Sequence, residues 1–132
     1  TYYGYGPYES YSDKHRASWV DRFDTTVDDM FEDYVFPQEN GSHYNCQYAS
    51  VGNLYAKGKK PFSFQASRYS EKELDEKAHN FELVPSDGIY VALDYKQSGI
   101  GSNSCGPRLA EKYQIREEKI EWEISIRFDN GN

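Results

Sequence analysis

Three stretches of this chain alternate apolar and polar residues one for one, and a side-chain period of two suits a strand with one wet face and little else. Ile120, Trp122, Ile124, Ile126 and Phe128 point one way while Glu121, Glu123, Ser125 and Arg127 point the other. Phe62, Phe64 and Ala66 alternate with Ser63, Gln65 and Ser67, and Ile89, Val91, Leu93 and Tyr95 repeat the pattern. Residues 19–23 alternate again, and residues 44–51 read as a strand after a turn. In that turn the β-prone Tyr34, Val35 and Phe36 run into Pro37, which lacks a ladder donor, and Asn40-Gly41, which readily takes positive φ. Residues 9–17 read as a short charged turn behind the strand breakers Gly6 and Pro7. A helix is expected only over 71–79, where Ser70, an acidic first turn and Glu73 form a capping box. Regular strands, many turns and one short helix predict an all-β fold, an antiparallel β-sandwich, with residues 1–132 forming one domain or part of one.

Composition narrows the partners. With 13 Tyr, 7 Phe and 2 Trp the chain is too aromatic to be disordered, and rings with polar handles suit half-buried strands or surfaces that stack on sugars and proteins. Fifteen basic against 22 acidic residues give a net charge of −7, which repels phosphate backbones and anionic headgroups, so neither nucleic acid nor membrane is an expected partner. There is no run of 18 apolar residues, and the opening Thr1-Tyr2-Tyr3-Gly4 has no basic start or apolar stretch. It begins inside β-type sequence, as a segment of something longer would. Two cysteines, Cys46 and Cys105, fit two reduced thiols better than a bridge, and a cytoplasmic location is expected. His15, His43 and His79 make no metal-ligand spacing with them, so no metal ligand is assigned.

The candidate sites are few. Residues 97–107 form a loop with three glycines between the last two expected strands, a place for either a plain connector or a ligand-facing loop. Gly99, Gly101 and Gly106 do not have phosphate-loop spacing. Asp21, Asp24, Asp28, Asp29, Glu32 and Asp33 lack the ligand order of an EF-hand and read as a solvated acidic face. His15 beside Lys14 and Arg16 reads as surface charge that could face a carboxylate or a neighbouring domain. Glu39 is the acid in the most conspicuous context, and turn structure accounts for it.

Four segments, in order, carry a resemblance. They are Gly4-Tyr5-Gly6-Pro7-Tyr8-Glu9-Ser10-Tyr11-Ser12-Asp13, Tyr34-Val35-Phe36-Pro37-Gln38-Glu39-Asn40-Gly41, the strand and helix from Phe62 through Ser70 with Leu74 and His79, and Gly99-Ile100-Gly101-Ser102-Asn103-Ser104-Cys105-Gly106-Pro107. Together they resemble the C-terminal domain of large microbial β-galactosidases of glycoside hydrolase family 2. The resemblance implies a galactose-mutarotase-like β-sandwich, of which this chain is the C-terminal half. It implies no catalytic residue here, because the family's two catalytic glutamates lie in an upstream (β/α)8 barrel. It places Asn103, Ser104 and Cys105 at the leaving-sugar subsite, Cys105 standing where well-known members offer a tryptophan platform. No cofactor is expected in this chain; magnesium and sodium would be held by other domains of the parent. Implied partners are those domains, the barrel among them, a β-galactoside substrate and further copies of an oligomeric parent. The alternatives from the residues alone are a free-standing carbohydrate-binding module and a protein-docking β-domain.

Overall fold

A computed structural model describes residues 1–101 and 108–129. Its strands are β1 (Tyr2–Gly6), β2 (Trp19–Phe23), β3 (His43–Val51), β4 (Leu54–Ser67), β5 (Tyr90–Asp94) and β6 (Ile124–Phe128), with one α-helix, α1 (Glu71–Glu76). All the pairings are antiparallel, in the order β2-β1-β3-β4-β5, with β6 also on β4. The all-β antiparallel expectation therefore holds. Among the described residues the strands make one sheet, with no second sheet packed on it.

The strand β4 organises this sheet. One edge pairs with β3; along the other, β6 takes residues 54–58 and β5 takes residues 63–67. Pro61 sits inside β4, where a missing N–H would ordinarily break a ladder. Here it falls between the β6 and β5 pairings, opposite a register shift in β3 around Cys46, so neither neighbour needs its donor. The alternation at Phe62 to Ala66 thus marks only the second half of a 14-residue strand.

One face of the sheet is packed. Tyr2, Cys46, Ala49, Ala56, Phe62, Phe64 and Ala66 form its core with Met30, which reaches in from a 3₁₀ turn at Asp28–Met30. Direct cross-strand register carries this face outward from Tyr2 through Ala49 and Ala56 to Ile126. Each fully buried phenylalanine contributes about 1.5 to 3 kcal/mol. The opposite face carries an aromatic ladder: Tyr3 stacks on Tyr48 and Tyr48 on Tyr55, each pair 6.0 Å between centroids, and the Arg127 guanidinium lies 4.5 Å over the Tyr55 ring. Three tyrosines are used in this way, as cross-strand contacts on a half-wet surface.

Two boundaries differ from expectation. The helix ends at Glu76 rather than near residue 79, because Lys77 is extended and the Glu82 carboxylate accepts from the N–H groups of Ala78 and His79, which a longer helix would have used. Its cap is as expected, Ser70 Oγ accepting from Glu73 N at 3.0 Å. The last strand starts at Ile124, not Ile120. Trp122 and Ile124 still pack on the core, while Ile126 and Phe128 are 50% and 61% exposed, so the inward face is covered only at its beginning.

Candidate functional site

A buried carboxylate sets the frame. Glu9, which the sequence places in a charged turn, is 6% exposed. Its Oε1 accepts from Lys14 Nζ and Tyr34 Oη, and its Oε2 accepts from Gly41 N at 2.9 Å and lies 3.5 Å from Tyr11 Oη. One side chain therefore joins the 8–14 turn to the 34–41 turn. Gly41 has φ +70° and lies so close to Met30 O that a Cβ there would overlap it, which explains the Asn-Gly sequence. Tyr11 N and Lys14 N exchange hydrogen bonds with each other's carbonyls at 2.8 and 3.1 Å, closing a tight two-residue turn over Ser12 and Asp13.

That turn holds the start of the 97–107 loop. Asp13 Oδ1 accepts from Ile100 N and Oδ2 from Gly101 N, each at 3.1 Å. Ser12 Oγ reaches Gln97 O at 3.5 Å, and Ser98 Oγ accepts from Ile115 N at 3.4 Å, tying the start of the loop to the 8–14 turn and to the chain around residue 115. Beside this base opens a cleft of about 440 Å³, lined by Tyr44, Tyr95, Tyr113, Gln97, Gln114 and Lys60 among others. Tyrosine rings with amide and ammonium donors give it faces for stacking and groups for hydroxyls. His15 is not loose surface charge: its Nδ1 is 2.9 Å from Tyr11 O and its ring packs on Tyr5 and Tyr44. By contrast, Asp21, Asp24, Asp28, Asp29, Glu32 and Asp33 are all exposed, as expected of a solvated face.

Glu39 has a more unusual environment than a turn acid. Burial, with the Asp94 charge added, pushes its carboxyl up to about 7, and burial also raises Asp94. Gln97 Nε2 donates to Asp94 Oδ2 at 3.0 Å, and Glu39 Oε1 is buried. A carboxyl whose pKa is higher folded than unfolded binds extra proton in the native state, so its contribution to stability is lost as pH rises from about 4.5 to about 7. Glu39→Gln is expected to raise stability by about 1 to 2 kcal/mol at pH 8, a value discounted for partial exposure, and by nothing at pH 4. Urea unfolding of both forms at the two pH values checks this; an equal difference at both would refute it. His43 acts oppositely, burial lowering it to about 4, but it is common to both forms.

The sequence profile described as beta galactosidase small chain matches residues 1–128. The chain belongs to this family. The small-chain segment is 49% identical over 128 residues to a β-galactosidase of Actinobacillus pleuropneumoniae, covering 97% of this chain and 12% of that protein. It is 42% identical over 131 residues to a β-galactosidase of Staphylococcus xylosus, 96% and 13%, and 34% identical over 109 residues to one of Streptococcus thermophilus, 78% and 11%. The segment thus spans about an eighth of the length of the curated relatives it matches.

The expected subsite residues Asn103, Ser104 and Cys105 lie outside the described residues. What the structure brings together is the base from which they follow. Sequence reasoning gave no role to Asp13 or Glu9, although both fall in the first matched segment; pairing of residue 13 with residue 100 has no local signal. Cys46 is buried in the core, where burial raises its thiol to about 12. Among the described residues no three His, Cys, Asp or Glu side chains are grouped to hold a metal ion, and no helix is long and apolar enough to cross a membrane.

Proposed function

We propose that this segment is a non-catalytic part of a retaining β-galactosidase, forming one wall of the site where terminal, non-reducing β-D-galactose is cleaved from lactose-like substrates. The observation that carries this reading is the small-chain match over residues 1–128 to enzymes some eight times longer. The tethered base of the 97–107 loop, beside a tyrosine-lined cleft, supports it. In this reading the sheet is one layer of a galactose-mutarotase-like sandwich, the barrel and the remaining domains of an oligomeric parent are its partners, and magnesium and sodium are held by those domains. Asn103, Ser104 and Cys105 line the leaving-sugar subsite. A thiol at Cys105 offers no broad ring face, so acceptor binding there is weak.

Cys105→Trp in the full-length enzyme is therefore expected to tighten glucose binding by a few-fold to about tenfold, on the scale of an aromatic contact, and to leave galactose binding unchanged. Inhibition constants for both sugars on wild type, Cys105→Trp and Cys105→Ala test it. Agreement of all three enzymes on both sugars would place the loop elsewhere.

A further inference from the structure

We propose that the cleft lined by Tyr44, Tyr95 and Tyr113 binds an anionic sugar, a pyranose ring that carries a phosphate or a carboxylate. Its charge is the reverse of the chain's. Three ammonium groups, those of Lys60, Lys96 and Lys112, line this space of about 440 Å³, and among the described residues no Asp or Glu does, although the chain has a net charge of −7. A concave site lined by one sign of charge concentrates the potential and draws in a small counter-ion, while the acidic remainder repels an extended polyanion. Of the three lysines, only Lys96 is ion-paired among the described residues, to Glu117. Lys60 borders Glu121 and Glu123 in an adjoining groove, but those carboxylates are taken by Lys119 at 2.6 Å and Lys59 at 3.2 Å. Lys112 has its Nζ 4.6 Å over the Tyr113 ring, a contact that holds the cation at the cleft wall without cancelling its charge. Lysine is a point-charge partner that suits a phosphate.

The rings call for a sugar and not a bare ion. Each of the three half-buried tyrosines joins an apolar face to a hydroxyl, the combination that stacks on a pyranose and hydrogen-bonds its edge. They come from separate parts of the chain: Tyr44 from β3, Tyr95 from just after β5, and Tyr113 from a 3₁₀ turn at Glu111–Tyr113. Tyr44 is packed against Tyr5 and His15, and Tyr95 against Trp122, so these faces are held before any ligand arrives. The cleft opens where the β3–β4 ladder is interrupted. Asn45, at φ +58°, falls in the register shift between His43 and Cys46, and both Asn45 and Pro61 line the space. Irregularities of this kind redirect side chains and recur beside binding sites.

The experiment titrates the full-length enzyme with glucose 6-phosphate, glucuronate, glucose and inorganic phosphate by calorimetry at low salt. Wild type is compared with Lys60→Gln/Lys112→Gln, with Tyr113→Ala, and with Lys72→Gln/Lys77→Gln, which removes the same charge from α1. The expected result is that an anionic sugar binds about tenfold or more tightly than glucose or inorganic phosphate, each of which keeps only one half of the recognition. Lys60→Gln/Lys112→Gln brings it to within about twofold of glucose, and Lys72→Gln/Lys77→Gln leaves it unchanged. Tyr113→Ala weakens it by a few-fold to about tenfold and does not alter inorganic phosphate binding. Lys60 and Lys112 are exposed, so their replacement carries the test without risk to the fold. Binding of one anionic sugar and not the other supports the site and identifies the group it takes, phosphate or carboxylate. Affinity that survives the loss of both lysines puts the ligand elsewhere and overturns the proposal. Glucose binding as tightly as its phosphate overturns the role of charge, and inorganic phosphate binding as tightly as the sugar phosphate overturns the role of the rings. Binding of none of the four, the outcome if another domain of the parent fills the cleft, overturns it altogether.

Discussion

Glu9→Ala is expected to lower the unfolding free energy of the small-chain segment by about 3 kcal/mol, because it leaves buried donors without partners. Gly41 N and Tyr11 Oη lose their acceptor inside the fold, while Lys14 and Tyr34, nearer the surface, can turn to water. The ion pair with Lys14 is a minor part, since the lysine side chain is 50% exposed and screened. Glu9→Gln, which retains one acceptor oxygen but turns an amide towards donors, is expected to cost about half as much. Urea unfolding at pH 7 measures both. A loss below about 0.5 kcal/mol for Glu9→Ala, the range of an ordinary surface substitution, would show that the two turns are held by something else.

Glu9 also marks where sequence stops being informative. The period of two located the strand at Phe62, Phe64 and Ala66, but the wet face it implied is absent there, since Ser63 and Ser67 are buried too. The cap at Ser70 is a local pattern with a local cause. What depends on a neighbour could not be read in the sequence. The first half of β4 is too basic and too broken by Gly58 and Pro61 to read as a strand, and it becomes one only because β3 and β6 flank it. The alternation from Ile120 runs four residues beyond the pairing, since β4 offers β6 only Leu54 to Gly58. A buried Glu9, or an Asp13 that meets residues 100 and 101, is a tertiary fact with no periodic signal. The four matched segments located the region, and the structure supplied the contacts within it. The free-standing alternatives drew on the tyrosines; the aromatic ladder uses three of them, and the relatives are enzymes of which the chain covers an eighth.

The other large effect expected is complete: the segment alone should give no hydrolysis of a chromogenic β-galactoside. A retaining site needs an ionised nucleophile and a protonated acid about 5 to 5.5 Å apart, both open to the sugar. Glu9 is saturated by its partners. Glu39 and Asp94 are the pair that most calls for scrutiny, one carboxyl pushed up to about 7 beside another, which is the pattern of an acid with its companion. Yet Glu39 Oε1 is shut off from solvent, Gln97 occupies Asp94 Oδ2, and both environments raise the pKa rather than setting one carboxylate low. In the proposed reading this segment contributes shape, and the rest of the parent contributes the chemistry. Purified segment and full-length enzyme, assayed side by side on the same substrate, test that division most directly. The account predicts turnover by the full-length enzyme and a rate equal to the blank for the segment; turnover that co-purifies with the segment and disappears with Glu39→Gln would contradict it.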